Sequence, residues 1–237
     1  MQKTIQSLND LIEHISEYTE QNSESPWYRG HGNHEWSLLP GILRDQNTHL
    51  SDEEKILRTF RQSAAMLIEK LPSDNFGWMF LMQHYGVPTR LLDWSESPLV
   101  ALYFAITEAP NFDGAFWILN PLKLNTEARI NYLPSFEDEA LHSYASENMD
   151  ANRRSPQLPL ASIATRNNPR IQSQQGVFTI HQHDKTAIEN IGQNITIKFL
   201  IPKESKDKIK KQITMLGFNK FQMFPELSSI SDMIKGQ

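Results

Sequence analysis

The chain has 237 residues, enough to bury a sizeable core without disulfides or metal staples, and at about 150 residues per domain it reads as one large domain or two small ones. Lys+Arg 23 against Asp+Glu 28 leave a formal charge of -5, which excludes a generic polyanion binder but not a local basic groove. Cysteine is absent, so disulfides, thiolate metal sites and cysteine nucleophiles are excluded. No apolar run approaches the roughly 20 residues that span a bilayer. The opening MQKTIQSLNDLIEHI lacks a continuous apolar core, so a cytoplasmic chain with no secretory leader and no membrane partner is expected.

In chain order, Leu8, Leu11, Ile12, Ile15 and Tyr18 recur at helical spacing behind Ser7, a predicted N-cap. This N-terminal helix accounts for residues 1–25, with Pro26 ending it. Trp27 to Gly30 reads as a short strand running into a turn at 31–34. Ser51 and Glu54 form a capping-box pattern before a stripe of Ile56, Phe60, Ala64, Leu67 and Leu71. Phe76 to Tyr85 predicts a buried helix closed by Gly86, and Val87 to Trp94 a buried strand. Ser97 and Pro98 start a third helix reaching about Glu108; Asp113-Gly114 turns into a strand over 115–119. From 120 to 169 the signals weaken, and the stretch, with Asn152-Arg153-Arg154-Ser155-Pro156 in it, reads as a lid or partner-binding excursion. Strands are expected over 177–181 and 195–201. Ser205 is a predicted cap for a helix carrying Ile209, Ile213 and Leu216 and closed by Gly217. Leu227, Ile230, Met233 and Ile234 suit a final short helix. Met66, Met79, Met82 and the tryptophans are assigned to the core. With no repeats and no linker, one mixed α+β domain over 1–237 is the economical reading.

Phosphate-binding glycine loops, a His-Glu-x-x-His and a Gly-x-Ser-x-Gly are all missing. His31 and His34 lack further ligands at a completing spacing, so no metal site is expected. Three segments place polar groups in apolar or glycine-bounded sequence. In Tyr28-Arg29-Gly30 the arginine either grips a phosphate or carboxylate with its planar fork or forms a structural ion pair. In Gln83 to Ser95, Arg90 and Asp93 lie among Leu and Trp, where an unpaired charge is expensive. They pair with each other, pair with Arg29, or face a ligand. His84 reads either as a general acid or base or as a satisfied core donor. In Arg170 to Phe178, the amides of Gln174 and Gln175 either fix sugar hydroxyls or a base edge, or cap a strand.

Together these segments resemble the FRG domain, a family with an aromatic-Arg-Gly motif, here Tyr28-Arg29-Gly30, followed by Trp36 to Pro40 and Arg44. Gln83 to Ala105 (QHYGVPTRLLDWSESPLVALYFA) is similar to the family's central signature, Arg170 to Phe178 to its third block, and Gly217 with Met223 to Leu227 to its closing block. The motif order in turn resembles, distantly, that of ADP-ribosyltransferases. That resemblance implies a split β-sheet core with peripheral helices, NAD as substrate, and a toxin or phage-defence effector modifying RNA, DNA or a protein. A neutralising antitoxin or other regulatory partner is then expected. The implied catalytic set is Arg29, His84, Asp93, Gln174 and Gln175. The implied NAD-binding set is Tyr28, Arg29, Gly30, His31, Tyr85, Thr89, Arg90, Ser95 and Arg170. The sequence departs from the transferase pattern where the usual glutamate falls on Gly176, and Asp93 replaces a serine, which makes Asp93 the candidate anion. The alternatives are a non-catalytic nucleotide or nucleic-acid binding module and, more remotely, a hydrolase with His84 as base.

Overall fold

The computed structural model describes residues 3–44, 49–149, 157–165 and 169–235. The first half runs α1 (Leu8–Gln21), β1 (Trp27–His31), α2 (Gly41–Arg44), α3 (Glu53–Ala64), α4 (Asn75–His84), β2 (Leu91–Ser95) and α5 (Pro98–Thr107). It continues with β3 (Gly114–Leu119), α6 (Pro121–Glu127), β4 (Leu160–Ser162), α7 (Pro169–Ser173), β5 (Gly176–Ile180) and β6 (Thr196–Ile201). Helices α8 (Lys203–Met215), α9 (Lys220–Met223) and α10 (Leu227–Lys235) complete it. The six strands form one sheet in the order β4-β5-β2-β1-β3-β6, with every neighbouring pair antiparallel. The architecture is a mixed α and β one. Among the described residues no helix is long and apolar enough to cross a membrane.

Strand alternation assigns the two faces of the sheet. Tyr28, Phe116, Ile118, Phe199 and Ile201 pack against Leu11 of α1, Ala101, Leu102 and Ala105 of α5, and Ile209 and Ile213 of α8. Trp27, Leu92, Trp94, Trp117 and Val177 pack on the other side with Leu124 of α6 and Ile188. A third cluster joins Leu91, Phe178 and Ile180 to Phe76 and Met79 of α4. Each Leu, Ile, Val, Phe or Met side chain among them contributes about 1.5–3 kcal/mol when taken out of water. Helix α5 is apolar all round, which suits a helix wedged between the sheet and α8. Local chemistry sets the helix ends. The Ser7 hydroxyl accepts from Asp10 N, Asp74 Oδ1 accepts from Gly77 N at 2.8 Å, and Gly86 and Gly217 take positive φ of 76° and 82° just past α4 and α8.

Several local expectations are corrected. Ser51 lies in a 3-10 turn, Leu50–Asp52, and the capping box there pairs His49 with Asp52. Helix α3 stops at Ala64, so Leu67 (85% exposed) and Leu71 fall beyond the packed stripe, and Leu57 is its buried apolar residue. Met66 is 94% exposed and takes no part in the core. The strand foreseen from Val87 begins only at Leu91. Ser97 is extended before α5, but its hydroxyl makes no capping bond; Ser95 Oγ accepts from Ser97 N instead, at 2.9 Å. Ser205 lies inside α8, which starts behind Pro202, and Leu216 is exposed. The weakly signalled stretch after Asn120 holds α6, 3-10 turns at Glu139–Tyr144 and Ser146–Asn148, and edge strand β4. Asn152 to Pro156, with Arg153 and Arg154, lies outside the described residues, as does the side chain of Met233.

Candidate functional site

Strands β1 and β2 are neighbours in the sheet, yet their register contains a single pair, Tyr28 with Ser95. By contrast, β2 and β5 are paired along five positions, from Leu91↔Ile180 to Ser95↔Gly176. Beside that lone pair a cavity of about 200 Å³ opens, floored by Tyr28, Arg29 and Gly30 and by Asp93 and Ser95. Helix α4 brings Phe80, Gln83 and His84; α5 brings Ala101 and Phe104, with Glu108 at its end; Arg170, Gln174 and Phe178 close the remaining side. Gly30 is what lets β1 lie on α5, since a Cβ there would sit 1.8 Å from the carbonyl oxygen of Ala101.

Arg29 is half-buried. Described residues engage two of its five N–H donors: Nε donates to His31 Nε2 at 2.9 Å and Nη1 to the Asp93 carbonyl. Burial lowers its pKa to about 10, with Asp93 opposing, so the guanidinium stays charged at neutral pH. Burial, then the Arg29 charge, pulls His31 down to about 2. His31 is therefore a neutral ring accepting from Arg29 at Nε2, and its Nδ1–H donates to Trp36 O at 3.1 Å. It braces the arginine from behind and is absent from the cavity wall.

Asp93 is exposed at its strand centre, and its Oδ2 accepts from Gln83 Nε2 at 2.7 Å. Gln83 Oε1 accepts from Thr89 Oγ1 at 2.6 Å. Thr89 is fully buried and orients Gln83; it does not reach the cavity. His84 is held below the ordinary histidine range by burial first and by the Arg170 charge second. Arg170 donates to the His84 carbonyl at 3.2 Å and lies over the Phe224 ring at 4.9 Å. Burial raises the carboxyl of Glu108, against the opposing charge of Arg29.

The structure thus brings Tyr28, Arg29, Gly30, His84, Asp93, Ser95, Arg170 and Gln174 to one cavity. Gln174 makes a structural bond there, donating from Nε2 to Met223 O at 3.0 Å, and Ser95 Oγ donates to the Gln174 carbonyl at 2.7 Å. Four other candidates besides His31 lie off the wall. Gln175 is exposed with a φ of 46°, because the tight turn into β5 swings it out. Tyr85 is 68% exposed, edge-on to His84 at 4.9 Å. Thr89 is the buried support already described. Arg90 pairs with neither Asp93 nor Arg29. Fully buried, it donates from Nε to both carboxylate oxygens of Glu53 at 2.8 and 2.7 Å, and to the carbonyls of His181 and Tyr144 at 2.8 and 2.7 Å. It is a structural clamp, satisfied on all sides.

Sequence reasoning missed Glu108 and the aromatic wall of Phe80, Phe104 and Phe178, and gave Gln83 no role of its own within its segment. A glutamate closing an apolar helix reads as solvent-facing; Glu108 is indeed exposed, and only the packing of β1 against α5 places it at the rim of the cavity. In comparison with known proteins, residues 24–114 match the FRG domain family. No curated protein and no solved structure matches the chain.

Proposed function

With an FRG domain at residues 24–114 as the premise, we propose that this chain is an ADP-ribosyltransferase-like enzyme that takes NAD as substrate. The observation that carries the reading is a charged arginine that shares an aromatic-walled cleft with two acidic residues, Asp93 and Glu108, where β1 and β2 separate. An arginine fork suits a phosphate or ribose oxygen, and a carboxylate suits positive charge developing at a ribose carbon. The separation of β1 from β2 supports a split-sheet core of transferase type. A cavity of about 200 Å³ is below the roughly 300–1,000 Å³ of sites for whole drug-sized ligands, so it would take one end of the dinucleotide. Arg29 holds the phosphate or the adjoining ribose, His84 and Phe80 border the nicotinamide, and Tyr85 lies outside, on the acceptor side. The acceptor is RNA, DNA or protein, and an effector of this kind would be held in check by a neutralising partner.

The test is incubation with NAD labelled on the adenylate, together with cellular RNA, DNA and lysate, beside the Arg29→Ala variant. Label should pass to a macromolecule with wild type only. Transfer undiminished in a folded Arg29→Ala protein would overturn the reading. One observation favours the binding-module alternative: the turn into β5, where the resemblance places a glutamate, carries Gln174, Gln175 and Gly176. That alternative predicts stoichiometric ligand binding with no release of nicotinamide.

A further inference from the structure

Independent features of the fold converge on the backbone at the end of α5. A Cβ at Gly32 would lie 2.4 Å from the Glu108 carbonyl oxygen and 2.5 Å from the Glu108 Cβ, so only glycine lets the turn after β1 press there. Lys206 of α8, 3% exposed, donates from Nζ to the carbonyls of Gly32 at 2.7 Å and of Glu108 and Ala109 at 3.1 Å each. Burying an ammonium is costly unless its protons are bonded, and here all three bonds fasten one point. Glu108 N donates to Phe104 O at 3.2 Å, and Ala109 adopts a φ of 40°, uncommon for a residue with a Cβ, turning the chain away at once. The backbone of Glu108 is thereby held from three directions. Glu108 is an exposed residue that lines the cavity holding Arg29, close enough for the two charges to act on each other, and its carboxylate takes no hydrogen bond or ion pair from a described residue.

Of the other candidate positions, Asp93 carries an anion already held by a hydrogen bond, and the rest carry none. Asp93 Oδ2 already accepts from Gln83, the Gln174 amide donates to Met223 O, Gln175 is turned out and Gly176 has no side chain. We propose that Glu108 is the catalytic carboxylate of this cleft, supplying from the end of α5 the negative charge that the turn into β5 lacks. The proposal rests on the NAD-transfer reading above. In the step, the bond between ribose C1' and the nicotinamide nitrogen breaks, and its electron pair leaves with nicotinamide, neutralising the pyridinium. The Glu108 anion stabilises the oxocarbenium character that develops at C1'. A hydroxyl or amine of the acceptor then forms the new bond to C1' and gives its proton to solvent.

Four charged groups act on this carboxyl: Arg29 of β1, Arg44 of α2 and Lys206 of α8 favour the anion, and Asp93 of β2 opposes it. Burial outweighs them and leaves the carboxyl above its ordinary range. Turnover in the wild type should therefore rise with pH through an acid limb that lies above the usual glutamate value.

The experiment compares wild type, Glu108→Gln and Asp93→Asn for nicotinamide release, with NAD affinity read by calorimetry. Glu108→Gln should lose about 10²–10³-fold in turnover and its acid limb, with affinity within about threefold, while Asp93→Asn loses less. Glu108→Asp, which keeps the charge one methylene back, should keep the limb at intermediate activity and serves if the glutamine variant does not fold. A wild type that turns over NAD with Glu108→Gln unaffected overturns this assignment alone. A folded wild type that releases no nicotinamide overturns the transfer reading, and this assignment with it.

Discussion

Arg90 and Arg29 show how the same residue type takes opposite roles according to what surrounds it. Arg90 has its fork filled by Glu53 and two carbonyls, with the Ser146 hydroxyl adding a bond to Glu53 Oε2 at 3.2 Å. Arg29 donates hydrogen bonds only to a neutral histidine and one carbonyl among the described residues, which leaves donors for a ligand. The consequence is testable. Glu53→Ala removes the sole acid of a buried pair whose side chains are 0% and 7% exposed, and should cost about 3–5 kcal/mol in urea unfolding by stranding the guanidinium. A loss under about 1 kcal/mol would mean that the carbonyls alone satisfy Arg90.

At the scale of the element, α3 separates periodicity from packing. Its apolar spacing continues past Ala64, but the helix does not, and its buried apolar residue is the one that lies against α4. Leu57 packs with Trp78 and Met82, so Leu57→Ala should cost about 2–4 kcal/mol as a cavity substitution. Leu67→Ala, at a side chain 85% exposed, should stay within about 0.5 kcal/mol of wild type. Equal losses at the two positions would mean that the stripe packs along its whole predicted length. Helix α5 is the reverse case. Its end looks like an ordinary polar terminus, but the fold fastens it through Gly32 and Lys206.

For the whole molecule, buried histidines tie stability to pH. Burial draws His181 from 6.5 down to about 4, and His31, with the help of the Arg29 charge, to about 2. Both stay neutral in the folded chain, whereas unfolding exposes them to protonation below about 6.5. Their contribution is therefore complete above 6.5 and is lost as pH falls, down to about 4 for His181 and further for His31. Near pH 5 unfolding should take up roughly two protons at these sites, a slope on the order of 2 kcal/mol per pH unit. Urea unfolding at pH 7.5 and pH 5 reads it. Equal stabilities at the two pH values would show that both rings already carry a proton in the folded state.

What was legible from residues alone was local. Ser7, Pro98, Gly86 and Gly217 mark helix ends because capping and positive φ act within one turn; the Asp113-Gly114 turn before an apolar run marks the strand at 115–119, and the alternation at 195–201 marks another because its period is two. Residues of the Tyr28-Arg29-Gly30 segment and part of the Gln83 to Ser95 segment line the cavity, while Tyr85, Thr89 and Arg90 of the latter lie off it: polar groups among apolar neighbours need a partner, but the sequence does not say which. Tertiary structure alone decided the rest. It chose Glu53 for Arg90, let β1 and β2 meet at one residue pair, turned Gln175 outward and brought Glu108 to the side of Arg29. Those outcomes depend on which groups the packed core carries within a few ångströms of one another, and burial then sets the value of each charge. Neither quantity is written in the spacing of neighbouring residues.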